Sequence, residues 1–99
     1  MNVHLTNTAL EHLDGIYAYI AKDSVNYAQL VVERILDKAS NIVIFPQAAA
    51  VVPEYAQPDI REVFAWHYRI IYRILPERID ILAVVHGAKP LPSRVDDLG

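Results

Sequence analysis

The chain has 99 residues, a hydrophobic fraction of 54% and a formal net charge of −3. This length fits one domain, so we expect residues 1–99 to form a single core. A net negative charge argues against a dedicated nucleic-acid binder, which usually carries a strong positive excess. Cysteine is absent, which excludes disulfides and thiolate chemistry. No signal-peptide pattern and no membrane-length apolar run is present, so a cytoplasmic protein without membrane contact is expected.

The first half of the chain predicts a short strand followed by two helices. Residues 3–5 alternate in polarity, and a hydroxyl or amide side chain among residues 6–8 can cap the first helix. Apolar residues then recur at helical spacing, namely Leu10, Leu13, Tyr17 and Ile20. The pattern breaks at residues 22–24, where Asp23 or Ser24 can cap a longer helix that ends before Pro46.

The second half predicts three strands. Residues 46–59 contain three prolines and form a loop, and residues 60–65 form a strand. Residues 68–74 and 79–86 are rich in β-branched and aromatic residues and form a hairpin around a four-residue turn. The tail 91–99 is polar and is expected to be flexible. The order β-α-α-β-β-β predicts an α+β fold in which a helical hairpin packs on one face of a small, mainly antiparallel sheet.

Two arginines stand inside the apolar run at 68–74. Because side chains alternate along a strand, Arg69 and Arg73 share one sheet face while Tyr68 and Tyr72 share the other, which can enter the core. With both helices on that core face, the arginine face is left open. Arg61 on the preceding strand can add to it, so a local cationic patch is the first candidate site. A structural alternative is pairing of Arg69 and Arg73 with the acidic residues Glu62, Glu77 or Asp80.

Several segments carry a resemblance to one bacterial family. They are Asp23-Ser24-Val25-Asn26 with Ala28, Phe45-Pro46, Arg61-Glu62-Val63-Phe64, Tyr68-Arg69-Ile70-Ile71-Tyr72-Arg73 and Ile81 to Lys89, which contains His86-Gly87. From Leu5 to Lys89 the chain resembles the RelE/ParE superfamily, the toxins of type II toxin–antitoxin modules. This resemblance implies a toxin that arrests growth, contributes to plasmid stabilisation and is neutralised by a cognate antitoxin.

The superfamily has two branches with different activities. RelE-like toxins are ribosome-dependent mRNA endoribonucleases, and in that branch Arg61, Arg69 and Arg73 would hold the phosphate while His86 exchanges the proton. ParE-like toxins inhibit DNA gyrase and need only a surface that contacts another protein. The net acidity and the lack of a tyrosine after His86 favour the ParE-like branch. An inactive module that only binds antitoxin is a third alternative.

The resemblance also implies partners and contact residues. The expected partners are the antitoxin and DNA gyrase, or the ribosome and mRNA on the alternative; DNA is contacted only through the antitoxin. The residues expected to bind target or antitoxin are Arg61, Arg69, Arg73, Trp66, His86 and Lys89. The groove between the helical hairpin and the sheet is expected to accept apolar residues of the antitoxin. Since His4, His12 and His67 are isolated in sequence, no metal or other cofactor is expected.

Overall fold

The computed structural model describes residues 1–98 and begins with the predicted strand and helical hairpin. Strand β1 spans Asn2–Leu5, and helices α1 and α2 span Asn7–Ala21 and Val25–Asn41. Both helices begin at a hydroxyl cap: the side-chain oxygens of Thr6 and Ser24 accept hydrogen bonds from the N–H groups of Ala9 and Tyr27. Helix α2 ends earlier than expected, because the chain tightens into a 3₁₀ turn at Ile42–Ile44 before the proline.

Five strands form one sheet in the order β1-β5-β4-β3-β2. The strands after the helices are β2 (Ala50–Val51), β3 (Ile60–Ala65), β4 (Tyr68–Ile74) and β5 (Arg78–His86). Strand β1 pairs with β5 in parallel, and the other pairings are antiparallel. The predicted α+β fold is confirmed. Strand β2 is an addition, since the region 46–59 was expected to be loop throughout.

The main core lies between the helices and one face of the sheet. Its buried members from the helical layer are Ala9, Leu13, Val31, Ile35, Ala39 and Ile42, and those from the sheet are Ala65, Ile70, Tyr72, Ile79, Ile81 and Val84. The hydroxyl of Tyr72 donates a hydrogen bond to the carbonyl of Pro46 at 2.6 Å, so its polar end is satisfied although the residue is fully buried. The tyrosine face of β4 is therefore the core face, as predicted.

The opposite sheet face is covered as well. A second cluster contains the buried residues Val52, Ile60, Ile71, Ala83 and Val85, and the partly buried Tyr55, Leu82, Leu91, Val95 and Leu98 pack against it. The cover comes from the loop after β2 and from residues 91–98, which end in a 3₁₀ turn at Val95–Leu98. The face expected to be open thus carries buried apolar residues that two other segments help to cover, and the part of the tail that the structure describes packs on the sheet.

Candidate functional site

The three candidate arginines do not form one patch. Arg61 lies opposite Tyr72 in the β3–β4 register and so shares the helical face of the sheet. Its guanidinium donates to the backbone carbonyls of Pro58 (2.7 Å), Gln47 (3.1 Å) and Ala49 (2.9 Å) and ties the loop before β2 to β3. Arg69 and Arg73 lie on the other face. The predicted clamp of three guanidinium groups is therefore wrong, because β3 carries Arg61 on the opposite face.

Arg69 is a buried structural residue. Only 6% of its surface is exposed, and its guanidinium contacts the carboxylate of Glu54 at 2.8 and 3.0 Å and the carboxylate of Glu62. These bonds raise the pKa of Arg69 above its ordinary value, and the hydrogen bond from Arg69 lowers the pKa of Glu54. The alternative of pairing with Glu62 is confirmed. Glu54 was not foreseen, since it comes from a loop 15 residues away in sequence.

Arg73 is more accessible than Arg69. Its Nε lies 3.6 Å from Oδ2 of Asp59, and 29% of its side chain is exposed. The residue lines a small cavity together with Thr8 of α1 and Asp96 of the C-terminal segment. The expected partner Asp80 instead contacts Nε of Arg78 at 2.8 Å. Arg73 therefore remains a candidate contact residue, although Asp59 and the C-terminal segment limit its access.

His86 lies at the end of β5, away from the arginines. It pairs with Tyr68, which places it on the face opposite Arg69. Its ring stacks on His67 with 6.0 Å between centroids, and its Nδ1 accepts a hydrogen bond from the N–H of Ala88 at 3.2 Å. Arg61 shares the face of His86 but lies four residue levels along the strands, about 13 Å at 3.3 Å per residue. A shared phosphate would require a guanidinium beside the imidazole of His86, and neither Arg61 nor Arg69 lies there.

Trp66 anchors an exposed aromatic cluster that we call the Trp66 cluster (Trp66, Tyr27 and Arg34). Trp66 occupies the β3–β4 turn with a φ of 52°, a left-handed conformation that costs a non-glycine residue about 1–2 kcal/mol. Its ring stacks on Tyr27 of α2 at 6.3 Å, and the guanidinium of Arg34 lies 5.0 Å from the ring centre. Trp66 is nevertheless 44% exposed. The cluster joins an indole, a phenol and a guanidinium, the groups that dominate protein interface hot spots.

A groove of about 550 Å³ lies between the end of α2 and the sheet. Its lining is mostly apolar and consists of Lys38, Asn41, Ile42, Ile44, Phe45, Ala48, Ala49, Val63 and Tyr72. Ile44 and Phe45 stand largely exposed at its rim. Strand β2 pairs only with Arg61 and Glu62 of β3. The second half of β3 therefore has no neighbouring strand on its outer edge, and this edge lies beside the groove. The groove expected from the sequence is present, and the sequence analysis did not foresee its cationic wall residue Lys38.

His12 of α1 lies beside β5 and lines one cavity together with Lys89. Nδ1 of His12 accepts a hydrogen bond from the N–H of Val84 at 3.1 Å, which satisfies the strand edge beyond the end of β1. Burial lowers the pKa of His12, and the positive charge of Lys89 lowers it further. The C-terminal segment contributes Leu91, Asp97 and other residues to the lining of this cavity. The sequence offered no signal for His12 beyond its position next to the apolar stripe of α1.

Comparison with solved structures defines the fold class. One chain, from the chromosomal ParDE TA system of P. aeruginosa, aligns with a TM-score of 0.71 at 22% identity, over 87% of this chain and 95% of that one. At this identity the likeness concerns the fold, which is the RelE/ParE-like arrangement of two helices on a sheet. A search of curated proteins found no match.

The family follows from the sequence itself. Residues 3–91 match the model of the ParE toxin of the type II toxin–antitoxin system, parDE. The match includes both helices and all five strands except the first residue of β1, Asn2. The chain belongs to the ParE toxin family. Among the residues that the structure describes, no helix combines the length and apolarity needed to cross a bilayer.

Proposed function

We propose that this chain is a ParE-like toxin that inhibits DNA gyrase in the cytoplasm and is neutralised by a cognate antitoxin. The dispersal of the arginines is the observation that favours gyrase over mRNA as the target. Arg61 is tied to a loop, Arg69 is buried between two carboxylates, and His86 lies on the face opposite Arg69. Metal-free RNA cleavage needs cations and an acid–base group around one phosphate. Protein-directed inhibition has no such requirement.

The groove beside α2 is the proposed antitoxin site. Its apolar floor suits leucine- or valine-sized side chains, and Lys38 on its wall favours acidic residues in the bound segment. The exposed rim residues Ile44 and Phe45 would be covered in the complex. An antitoxin segment that folds on binding buries such apolar area at the cost of its ordering entropy.

The Trp66 cluster is the proposed gyrase contact. Trp66 has a left-handed backbone conformation, its indole contacts Tyr27 and Arg34, and much of its surface is exposed to solvent. Backbone strain that the surrounding packing enforces is enriched at functional positions. Arg73, His86 and Lys89 remain further candidate contacts. Arg61 and Arg69 are better explained by the loop and carboxylates they hold.

Two single variants separate the proposed surfaces. Phe45→Ala removes an exposed rim residue of the groove, and Trp66→Ala removes the indole. We expect Phe45→Ala to weaken antitoxin binding while inhibition of gyrase supercoiling persists, and Trp66→Ala to weaken inhibition while antitoxin binding persists. The measurements are plasmid supercoiling by purified gyrase and calorimetric titration with the antitoxin. Equal loss of both activities in each variant would contradict separate surfaces.

Two further assays distinguish the alternatives. Induction of the chain without antitoxin should arrest growth, whereas unaffected growth would favour an inactive antitoxin-binding module. Cleavage of ribosome-bound mRNA without any effect on supercoiling would favour the ribonuclease. Supercoiling inhibition with intact mRNA is the expected result.

A further inference from the structure

The C-terminal residues 91–98, which we call the strap, lie across the sheet face opposite the helices. Three apolar side chains attach the strap: Leu91, Val95 and Leu98 pack on the cluster that contains Ile71 and Ala83. Each of the three is only partly buried. The strap therefore covers an apolar sheet face without being absorbed into the core.

Few polar contacts hold the strap in place. Within residues 1–98, the hydrogen bond from the hydroxyl of Tyr55 to the carbonyl of Pro92 (2.9 Å) is the one that joins the strap to the rest of the chain. The other polar contacts of the strap are internal: the N–H of Asp97 donates to the carbonyl of Arg94, and Arg94 lies 3.7 Å from Asp96. A segment with few buried contacts and few hydrogen bonds opens at low free-energy cost.

Charge complementarity accompanies the apolar contacts. A cavity of about 270 Å³ lies on each side of the strap. Asp97 lines one cavity together with His12 and Lys89, and Asp96 lines the other together with Arg73. In both cavities an acidic residue of the strap and a cationic side chain of the body share the lining. The segment that covers the sheet face thus combines spaced apolar residues with an acidic pair.

We propose that this face is a second docking surface, for an acidic and apolar segment of a partner protein that displaces the strap. The strap is the intramolecular occupant and shows the chemistry that the surface selects: apolar residues at Leu91, Val95 and Leu98, and carboxylates at Asp96 and Asp97. Displacement exposes Arg73 and the apolar cluster together. This inference does not depend on the antitoxin groove or on the Trp66 cluster, since both lie on the helical side of the sheet.

Competition between the strap and a free peptide tests the proposal. The probe is a fluorescent synthetic peptide of residues 90–99, and the proteins are the full-length wild type and the double variant Val95→Ala/Leu98→Ala. A tethered segment competes at an effective concentration in the millimolar range, so the wild type should bind the probe at least about tenfold more weakly than the variant. The matched control is Leu36→Ala, which shortens an exposed side chain of α2 and should behave as the wild type.

The charge contribution is tested with a second peptide. The same probe with Asp96→Asn and Asp97→Asn should bind the variant more weakly, and 1 M salt should remove the difference. A folded double variant that does not bind the probe would overturn the proposal. If the double variant fails to fold, hydrogen exchange of the wild type decides the matter: strap amides should exchange about 100-fold faster than those of β4. Equal protection of the two segments would also overturn it.

Discussion

Replacement of Arg69 should show that this residue serves the fold. Arg69→Met keeps the length and apolar stem of the side chain but leaves Glu62, whose side chain is 11% exposed, without its cation. Breaking a buried pair by removing one partner costs about 3–5 kcal/mol. Because the side chain of Glu54 is 41% exposed and can be solvated, we expect the free energy of unfolding to fall by about 3 kcal/mol, the low end of this range. Arg73→Met is the matched control and should cost at most about 1 kcal/mol, since its contact is longer and more exposed.

Urea denaturation near pH 7 and near pH 4 measures both effects. The hydrogen bond from Arg69 lowers the pKa of Glu54 in the folded protein, so its stabilisation is present above the ordinary pKa of a glutamate and is lost as pH falls through the folded pKa. Arg69→Met lacks this hydrogen bond, so the variant lacks the pH-dependent stabilisation that Arg69 gives to Glu54. The stability difference between wild type and Arg69→Met should therefore shrink at the lower pH. A difference below about 0.5 kcal/mol at pH 7, as for an ordinary surface substitution, or a difference that is the same at both pH values, would refute this reasoning.

Three further predictions concern single residues. Gly87→Ala should destabilise the protein by about 1 kcal/mol or more because the added methyl would lie 3.2 Å from the backbone carbonyl oxygen of His67 and 3.1 Å from the ring of Phe64. Gly15→Ala, with open space in α1, should stabilise it by up to about 1 kcal/mol; thermal unfolding of both variants checks the opposite signs. The pKa of His12 is lowered in the folded state, so its stabilisation is complete above pH 6.5 and is lost as pH falls through the folded pKa; melting temperatures from pH 7.5 to 5 should fall more steeply for the wild type than for His12→Gln. Trp66→Gly should be more stable than Trp66→Ala by up to about 1–2 kcal/mol, since glycine removes the left-handed backbone cost that alanine retains; urea denaturation of both variants checks this.

The local periodicity of the sequence was sufficient to predict the helices, the longer strands and the main core. The apolar repeat of α1 and the alternation in β4 predicted which side chains meet, and Tyr72 is buried on the expected face. Thr6 and Ser24 act as the caps, each among the residues proposed for that position. These features depend on residues close together in sequence, which is why the sequence alone was informative.

The candidate site depended on contacts between distant segments, which the sequence did not reveal. Arg69 appeared to be exposed because its partner Glu54 and the covering residue Tyr55 come from a loop without periodicity. The packing of the tail on the sheet was not foreseen because its apolar residues, such as Leu91 and Leu98, are separated by polar ones. The alternation in β4 correctly separated the faces of the sheet, but it could not say what lies on them.

The most direct test of the central claim is supercoiling of relaxed plasmid by purified gyrase in the presence of this chain. The chain should inhibit the reaction, and addition of its antitoxin should restore it. Arg73→Met should retain inhibition more fully than Trp66→Ala if the Trp66 cluster is the principal contact. Full supercoiling at a large molar excess of folded, antitoxin-free chain would contradict the account.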